Sequence, residues 1–281
     1  MYHLEQYVTL LWYALTQDEA LFCNKAFASR SIFLQAFPVL VPAFLLVNAN
    51  HGRFSTKDSK FNLPGMILDN AISNNPLGKF AWVSMEIISP IMFIVDYFSQ
   101  TPHLSNTGNM LIGLAFLVHY THRSLVAPLF RAESLKPIHL YVWLGAMTFN
   151  FHNGSTIGWW LSSLGRADGY FIPGLLLWTL GFAGNTYHDE ILFSLRKTGG
   201  KKDYSIPYGG LYQYISCPNY FCEIVEWIGL GIAAGRQCSP IWVFVVALLA
   251  VLVPRARANH QWFKRTFKDY PQRNALIPFV W

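Results

Sequence analysis

The chain has 281 residues, of which 53% are hydrophobic and 13% are charged, against roughly 25% charged residues in ordinary soluble domains. These values exclude a disordered chain, a coiled coil and a collagen-like fibre, and they indicate a polytopic membrane protein. The net charge of +6 comes without a basic stripe on a soluble module. We therefore expect contact with anionic membrane lipid and no nucleic-acid partner.

Seven apolar stretches predict an all-α protein with seven transmembrane helices. Residues 1–31 are expected to form an amphipathic lead-in segment, and residues 32–281 a single membrane domain. The sixth and seventh spans are the weaker predictions from hydropathy, because the sixth contains several polar residues and the seventh is short. The predicted spans are 32–49, 79–98, 109–130, 136–152, 171–192, 211–235 and 238–254.

The Lys and Arg residues between these spans define an expected topology. With a cytoplasmic C-terminus, 16 of the 21 Lys and Arg residues lie on the cytoplasmic side and 4 on the outer side. Arg123 is the remaining cation, and it lies inside the third span. This asymmetry follows the positive-inside rule and predicts an outer N-terminus and a cytoplasmic C-terminus.

Polar residues recur at helical spacing inside five of the apolar helices. Trp82 and Glu86 lie four residues apart, and Tyr120 and Arg123 three apart, so each pair shares one helix face. Because a buried ionisable group is costly unless it is paired or faces water, the pattern indicates either a functional cavity or hydrogen bonds that only join helices. The other members are Asn185 and Asp189 in the fifth span with Arg196 two turns further on, Asn219, Glu223 and Glu226 in the sixth, and Arg255 and Asn259, on one face with Phe263, at the end of the seventh.

The expected depths of these residues describe a funnel that opens to the cytoplasm. Asp189, Arg196 and Arg255 lie near the cytoplasmic ends of their helices. Tyr120 lies roughly 15 Å deep at the rise of an α-helix, and Glu86 shares the floor with it. Such a site suits a large anionic cofactor that enters from the cytoplasm and a hydrophobic substrate that comes from the bilayer.

Three further patterns have simpler explanations. His119 and His122 lie one turn apart, but the other histidines are too scattered for us to expect a metal site. The run Gly229–Gly235 is explained better by close helix packing than by dinucleotide binding. Asn153 begins a glycosylation sequon on the expected outer side, where it abuts the fourth helix and is expected to stay unmodified.

Several blocks resemble the steroid 5α-reductase family. The block Trp82–Glu86 is similar to that family's W-x-x-x-E motif, and His119–Ser124 to its H-Y-x-H-R-[ST] motif. Each block is weak alone, but their order and spacing over roughly residues 40–281 are specific. The source could be eukaryotic or bacterial. The other similar blocks are His51–Phe54, Asn185–Asp189, Leu195–Lys197, Tyr204–Pro207, Gly209–Leu211, Pro218–Glu223, Arg255–Ala256, His260–Phe263, Phe267–Pro271 and Ile277–Phe279.

The resemblance implies a seven-helix membrane enzyme that uses NADPH to reduce a carbon–carbon double bond conjugated to a ketone. It implies that Tyr120 and Glu86 are catalytic and polarise the ketone, with Trp82 and Arg123 beside the substrate. Asn259 departs from the family, where many members have histidine. The residues implied to hold NADPH are Arg53, Lys136, Asn185, Asp189, Arg196, Tyr204, Asn219, Glu223, Arg255, Asn259 and His260.

The implied reaction adds hydride to C5 of a 3-oxo-Δ4-steroid, and Tyr120 donates to the ketone oxygen as charge develops there. Glu86 would orient the phenol or, if protonated, donate itself. We expect a monomer in a bacterial inner membrane or the endoplasmic reticulum, with the cofactor site facing the cytoplasm. The alternatives are a trans-2-enoyl-CoA or polyprenol reductase, an isoprenylcysteine methyltransferase-like enzyme that binds S-adenosylmethionine, and a sterol-binding receptor or transporter.

Overall fold

The computed structural model describes residues 76–99, 106–132, 135, 140–163, 170–198, 204–235 and 240–280. Within these ranges the chain is helical without a strand, which confirms the all-α class. The lead-in segment 1–31, the first predicted span 32–49, Arg53 and Lys136 lie outside the described residues. The count of seven spans and the orientation of the termini stay predictions.

Seven α-helices lie in the described ranges. The first two are almost continuous, because the Ile87 amide between them still donates to the Val83 carbonyl at 2.9 Å. A π-helical segment, His122–Arg131, extends the third helix, and a short 3₁₀ turn, Gly210–Gln213, precedes the sixth. The helices are α1 (Pro76–Glu86), α2 (Ile88–Ser99), α3 (Thr107–Thr121), α4 (Leu140–Ser163), α5 (Phe171–Thr198), α6 (Pro218–Ala234) and α7 (Pro240–Thr266).

Three of the described helical stretches are long and apolar enough to cross a bilayer: Gly78–Ser99, Thr107–Arg131 and Pro240–Thr266. The first two confirm the predicted spans 79–98 and 109–130. The third is the most apolar of them, so the expectation of a short and weak last span was wrong. Its helix continues past residue 254 despite Pro254 and four arginine or lysine residues. These apolar helices are those of an integral membrane protein.

Two other boundaries differ from the prediction. Helix α4 begins at Leu140 and reaches Ser163, whereas the predicted span ended at residue 152. The polar residues that follow had concealed its second half, although several of them, including Asn153 and Thr156, are fully buried between helices. Helix α6 begins at Pro218, where a proline at the first position needs no N–H partner, while residues 211–217 form the 3₁₀ turn and an irregular segment.

Glycines allow two pairs of helices to pack with their backbones in contact. A Cβ placed on Gly229 of α6 would collide with the Trp178 backbone of α5, which confirms the packing predicted for that glycine-rich run. A Cβ on Gly154 of α4 would likewise collide with the Ser89 carbonyl of α2. These approaches fix the relative heights of α5 and α6 and of α2 and α4.

An aromatic core fills the space between the helices. The Phe93 ring of α2 stacks on the Phe116 ring of α3 at 4.7 Å, and Phe116 meets Trp227 of α6 at 6.0 Å. Tyr120 lies one turn beyond Phe116, with the two ring centroids 4.7 Å apart. The phenol therefore lies at the edge of this apolar core, near the middle of the continuous helical stretch Thr107–Arg131.

Candidate active site

Arg123 is the centre of a charged cluster between three helical segments. Its Nε lies 3.1 Å from Oε1 of Glu86 on α1, and its Nη1 lies 3.3 Å from Oε1 of Glu223 on α6. The two carboxyl side chains are only 8% and 7% exposed, and the arginine side chain is 30% exposed. Two carboxylates thus share one guanidinium, an arrangement that stabilises buried charge only while all its members remain.

Trp82 completes this cluster from one turn before Glu86. The Arg123 guanidinium lies 5.4 Å from the centre of the Trp82 ring, within cation–π distance. The indole N–H also donates to the Arg123 backbone carbonyl at 3.1 Å. The expected grouping of Trp82, Glu86 and Arg123 is therefore present.

Tyr120 lies beside this cluster and is 2% exposed. The amide nitrogen of Asn153 donates to the phenol oxygen at 2.8 Å, and the phenol faces the Asn150 amide oxygen at 3.5 Å. Glu86 makes its hydrogen bond with Arg123. The hydrogen-bond partners of the phenol are therefore Asn150 and Asn153 of α4 and Ser89 of α2. Glu86, which we expected to orient the phenol, is not among them.

Sequence reasoning missed the roles of Asn150 and Asn153. The sequence presents Asn153 as the first residue of a glycosylation sequon, yet its side chain is fully buried beside Tyr120. The signal that could have placed it inside the bundle is the Gly154-x-x-x-Gly158 pattern, which is typical of closely packed membrane helices. Both glycines lie against the backbone of α2.

His119 and Glu226 form a second buried pair. The His119 Nδ1 lies 2.6 Å from Oε1 of Glu226, and both side chains are almost wholly buried. The imidazole packs edge-on against Trp227 at 4.8 Å. This pair joins α3 to α6, and the described residues contain no group of three His, Cys, Asp or Glu that could hold a metal.

A polar cluster joins α5 and α6 one helical turn N-terminal to Glu223 on α6. The Asn219 side-chain amide donates to Asp189 at 2.9 Å, and the Asn185 amide reaches the Asn219 carbonyl at 3.4 Å. The predicted grouping of these three residues is thus present. Because Asn219 and Glu223 lie four residues apart on α6, one helix face connects this cluster to the Arg123 cluster.

The C-terminal residues fold back onto the segment before α6. Ser216 bridges His260 and Tyr270, since its Oγ lies 2.7 Å from His260 Nδ1 and accepts from the Tyr270 hydroxyl at 2.8 Å. Burial raises the pKa of Tyr270 above its ordinary value. Asn274 exchanges backbone hydrogen bonds with Tyr214 and Ser216, both at 2.9 Å. Residues 214–216 and 260–274 therefore form one unit.

Two other predicted cofactor residues, Asn259 and Tyr204, contact aromatic side chains of the described structure. Asn259 donates to the Tyr220 hydroxyl at 3.4 Å, and the Tyr204 ring contacts Trp262 at 5.0 Å. Arg255 is half-buried on α7, one turn before Asn259. The side chain of Arg196, in the last turn of α5, lies outside the described part of the structure.

These observations define an integral membrane protein with an internal polar site between apolar helices. The family model described as 3-oxo-5-alpha-steroid 4-dehydrogenase matches residues 136–281. The chain belongs to this family and is an oxidoreductase that acts on CH–CH bonds. The family expected from the sequence motifs is thereby confirmed.

Three relatives illustrate the similarity. An uncharacterized protein of Schizosaccharomyces pombe is 38% identical over 274 residues, which cover 85% of this chain and 93% of the relative. The 3-oxo-5-alpha-steroid 4-dehydrogenase 1 of Bos taurus is 35% identical, with 84% of this chain and 89% of that protein covered. A steroid 5-alpha-reductase of Gossypium hirsutum is 32% identical, with 95% and 100% covered.

Proposed function

We propose that this protein reduces the C4–C5 double bond of 3-oxo-Δ4-steroids to the 5α product, with NADPH as the reductant. The observation that supports this most is the buried Tyr120 phenol beside the Arg123 cluster, in a protein of the 3-oxo-5-alpha-steroid 4-dehydrogenase family. Its hydroxyl oxygen lies 3.5 Å from the Asn150 amide oxygen, a long hydrogen bond that a ketone oxygen can replace.

The donor set fits a nicotinamide dinucleotide. Such a cofactor offers amide and hydroxyl groups along its length, which amide and carboxyl side chains bind, and phosphates, which cations bind. The described residues supply both kinds, in the Asn185, Asp189 and Asn219 cluster and in half-buried Arg255. When bound, NADPH would supply the hydride that adds to C5. The residues proposed to hold it are Arg53, Lys136, Asn185, Asp189, Arg196, Tyr204, Asn219, Glu223, Arg255, Asn259 and His260.

Tyr120 has the central role in the proposed mechanism. Negative charge develops on the 3-ketone oxygen as an enolate forms, and the phenol donates a hydrogen bond to that oxygen. A preorganised donor of this kind is worth roughly 3–4 kcal/mol to the transition state. Apolar rings, including Phe116 and Trp227, exclude water from this point. Protonation of C4, by Tyr120 or by water, completes the saturated ketone.

Glu86, Trp82 and Arg123 form the wall next to the phenol. Glu86 and Glu223 hold the Arg123 guanidinium from two sides, while the Trp82 ring covers one of its faces. In this arrangement Arg123 and its two carboxylates form a rigid wall that holds the substrate against the phenol without moving during the reaction. Glu86 thus acts on the substrate site from beside the phenol, together with Arg123.

The test is purified protein in detergent with NADPH and testosterone or progesterone. We expect oxidation of NADPH that depends on the steroid, with the 5α product and no 5β product. A protein that oxidises NADPH with trans-2-enoyl-CoA or a polyprenol enone, but with no 3-oxo-Δ4-steroid, would overturn the proposed substrate. Binding of S-adenosylmethionine instead of NADPH would overturn the reductase itself.

The proposal includes a monomer with seven spans, an outer N-terminus, a cytoplasmic C-terminus and a cofactor site that faces the cytoplasm. The steroid would enter from the bilayer. Because the relatives described above come from yeast, cattle and cotton, we favour the endoplasmic reticulum over a bacterial inner membrane. The 16 to 4 division of basic residues supports the orientation.

A further inference from the structure

The partners of the Tyr120 phenol indicate a role for α4 in the chemistry. The Asn153 amide donates to the phenol oxygen at 2.8 Å, while the neighbouring Asn150 amide donates to the Met85 carbonyl at 2.7 Å. The Asn150 N–H therefore fastens α4 to α1, and of the two asparagines only Asn153 donates to the phenol oxygen. A donor to the phenol oxygen polarises its O–H and strengthens the hydrogen bond that the O–H donates in turn.

Asn153 makes a poor structural residue. Its side chain is 0% exposed, and among the described residues its amide oxygen has no hydrogen-bond partner. An unsatisfied buried oxygen lowers stability, so an apolar residue of similar shape would serve packing better at this position. What an apolar residue cannot supply is the N–H that reaches Tyr120.

Backbone packing determines where this N–H lies. Gly154, the next residue, is so close to α2 that a Cβ would collide with the Ser89 carbonyl, and Gly158 makes the same kind of contact with Phe93. The height of Asn153 relative to α2 is therefore fixed by rigid backbone and not by flexible side chains. Such preorganisation is what a group that must hold a donor at one angle requires.

We propose that Asn153 is a positioning residue for Tyr120, which orients and polarises the phenol so that its O–H points at the substrate ketone. The proposal rests on the proposed function, since it assigns to the phenol a ketone to bind. Asn153 does not touch the substrate itself. It acts through Tyr120, and its loss should have no effect when the phenol is already absent.

The first experiment compares turnover of Asn153→Leu, Tyr120→Phe and the double variant with NADPH and testosterone. We expect Asn153→Leu to lower kcat about tenfold or more while the KM values for steroid and NADPH stay within about twofold. The double variant should be no slower than Tyr120→Phe alone. If Asn153→Leu lowers kcat by the same factor in the wild-type protein and in Tyr120→Phe, the proposal is overturned, because Asn153 would then act independently of the phenol.

Asn109 provides the matched control. Its side-chain amide also joins α3 to α4, donating to the Leu161 carbonyl at 2.8 Å, and it is equally buried. We expect Asn109→Leu to lower the thermal midpoint without lowering the kcat of the protein that remains folded. A fall in kcat as large as that of Asn153→Leu would make the effect a general one of the α3–α4 contact, and would overturn the proposal.

A second readout needs neither cofactor nor turnover. Fluorotyrosine placed at position 120 gives a fluorine NMR signal that reports hydrogen bonding of the phenol. We expect this signal to shift in Asn153→Leu and to stay in place in Asn109→Leu. An unmoved signal in Asn153→Leu overturns the proposal even if activity falls. If wild-type protein reduces no 3-oxo-Δ4-steroid, the proposed function fails, and the fluorine signal alone decides whether Asn153 bonds the phenol.

Discussion

The indole N–H of Trp82 donates to the backbone carbonyl of Arg123 at 3.1 Å, and Pro128 explains why that carbonyl is available. Arg123 lies in the π-helical segment, where a carbonyl accepts from the N–H five residues later. For Arg123 that residue is Pro128, which has no N–H. Trp82 thus supplies the hydrogen-bond donor that the proline lacks. It contacts Arg123 twice, at the backbone carbonyl through its N–H and at the guanidinium through its ring.

This relationship predicts that Trp82→Phe lowers stability by about 1–3 kcal/mol, because a buried carbonyl loses its donor. The thermal midpoint of the purified protein measures the loss. Pro128→Ala supplies an N–H at the missing position, so in that background Trp82→Phe should cost clearly less. Equal losses in the two backgrounds would show that the proline and the tryptophan are unconnected.

Tyr120→Phe should lower turnover of a 3-oxo-Δ4-steroid at least about tenfold, because the ketone loses its hydrogen-bond donor. NADPH binding and membrane insertion should be preserved. Tyr97→Phe is the control, since Tyr97 is a buried tyrosine of the same core whose ring stacks on Phe93. A Tyr120→Phe protein with near-normal turnover would remove the phenol from the chemistry.

Glu86→Gln should also lower turnover at least about tenfold, because Arg123 loses one of the two carboxylates that hold it. The measurement is kcat with saturating NADPH and steroid. Glu190→Gln is a suitable control, because Glu190 pairs with Arg131 in a more exposed salt bridge away from the phenol. If the two variants behave alike, the Arg123 cluster has no special part in the reaction.

Arg255→Ala should raise the apparent KM for NADPH several-fold and leave kcat almost unchanged, because a phosphate contact contributes to binding before and during the reaction. Steady-state kinetics at varied NADPH measures this. Arg257→Ala, two residues along the same helix and exposed, should leave both constants unchanged. An unchanged KM in Arg255→Ala would exclude that residue from the cofactor site.

Gly181→Ala should destabilise the protein by about 1–3 kcal/mol or more, because the added methyl group collides with the Glu226 backbone. Gly145→Ala is the matched control: its added methyl group meets open space, and alanine is the better helix former. Thermal midpoints of the two variants should therefore move in opposite directions or differ widely. Similar midpoints would contradict the close α5–α6 contact.

Much of the helical architecture could be predicted from hydropathy alone. The residue pattern located the helices around Glu86, Tyr120 and Arg123 to within a few residues. It failed for the second half of α4, where polar residues such as Asn153 and Thr156 are buried against other helices instead of facing water. Hydropathy averages composition, and it cannot tell a polar group that bonds a neighbouring helix from one that ends a span.

The sequence predicted which site residues share a helix face, but not which of them contact each other between helices. Spacing placed Glu86 and Arg123 in polar stripes, and the structure brings them together. Spacing could not reveal that Glu86 bonds Arg123 while Asn153 bonds Tyr120, because the rotation of each helix depends on where glycines allow close approach. Glu223, assigned to the cofactor from the motif it belongs to, also contacts Arg123 for the same reason.

The contact between Asn274 and residues 214–216 has a consequence for biosynthesis. Helices α6 and α7 separate these partners in the sequence. During translation, residues 214–216 therefore remain without this contact until both helices have been synthesised. Arg273 adds a hydrogen bond to the Pro207 carbonyl under the same constraint. The end of the molecule proposed to hold the cofactor is therefore the last part of the described structure to be assembled.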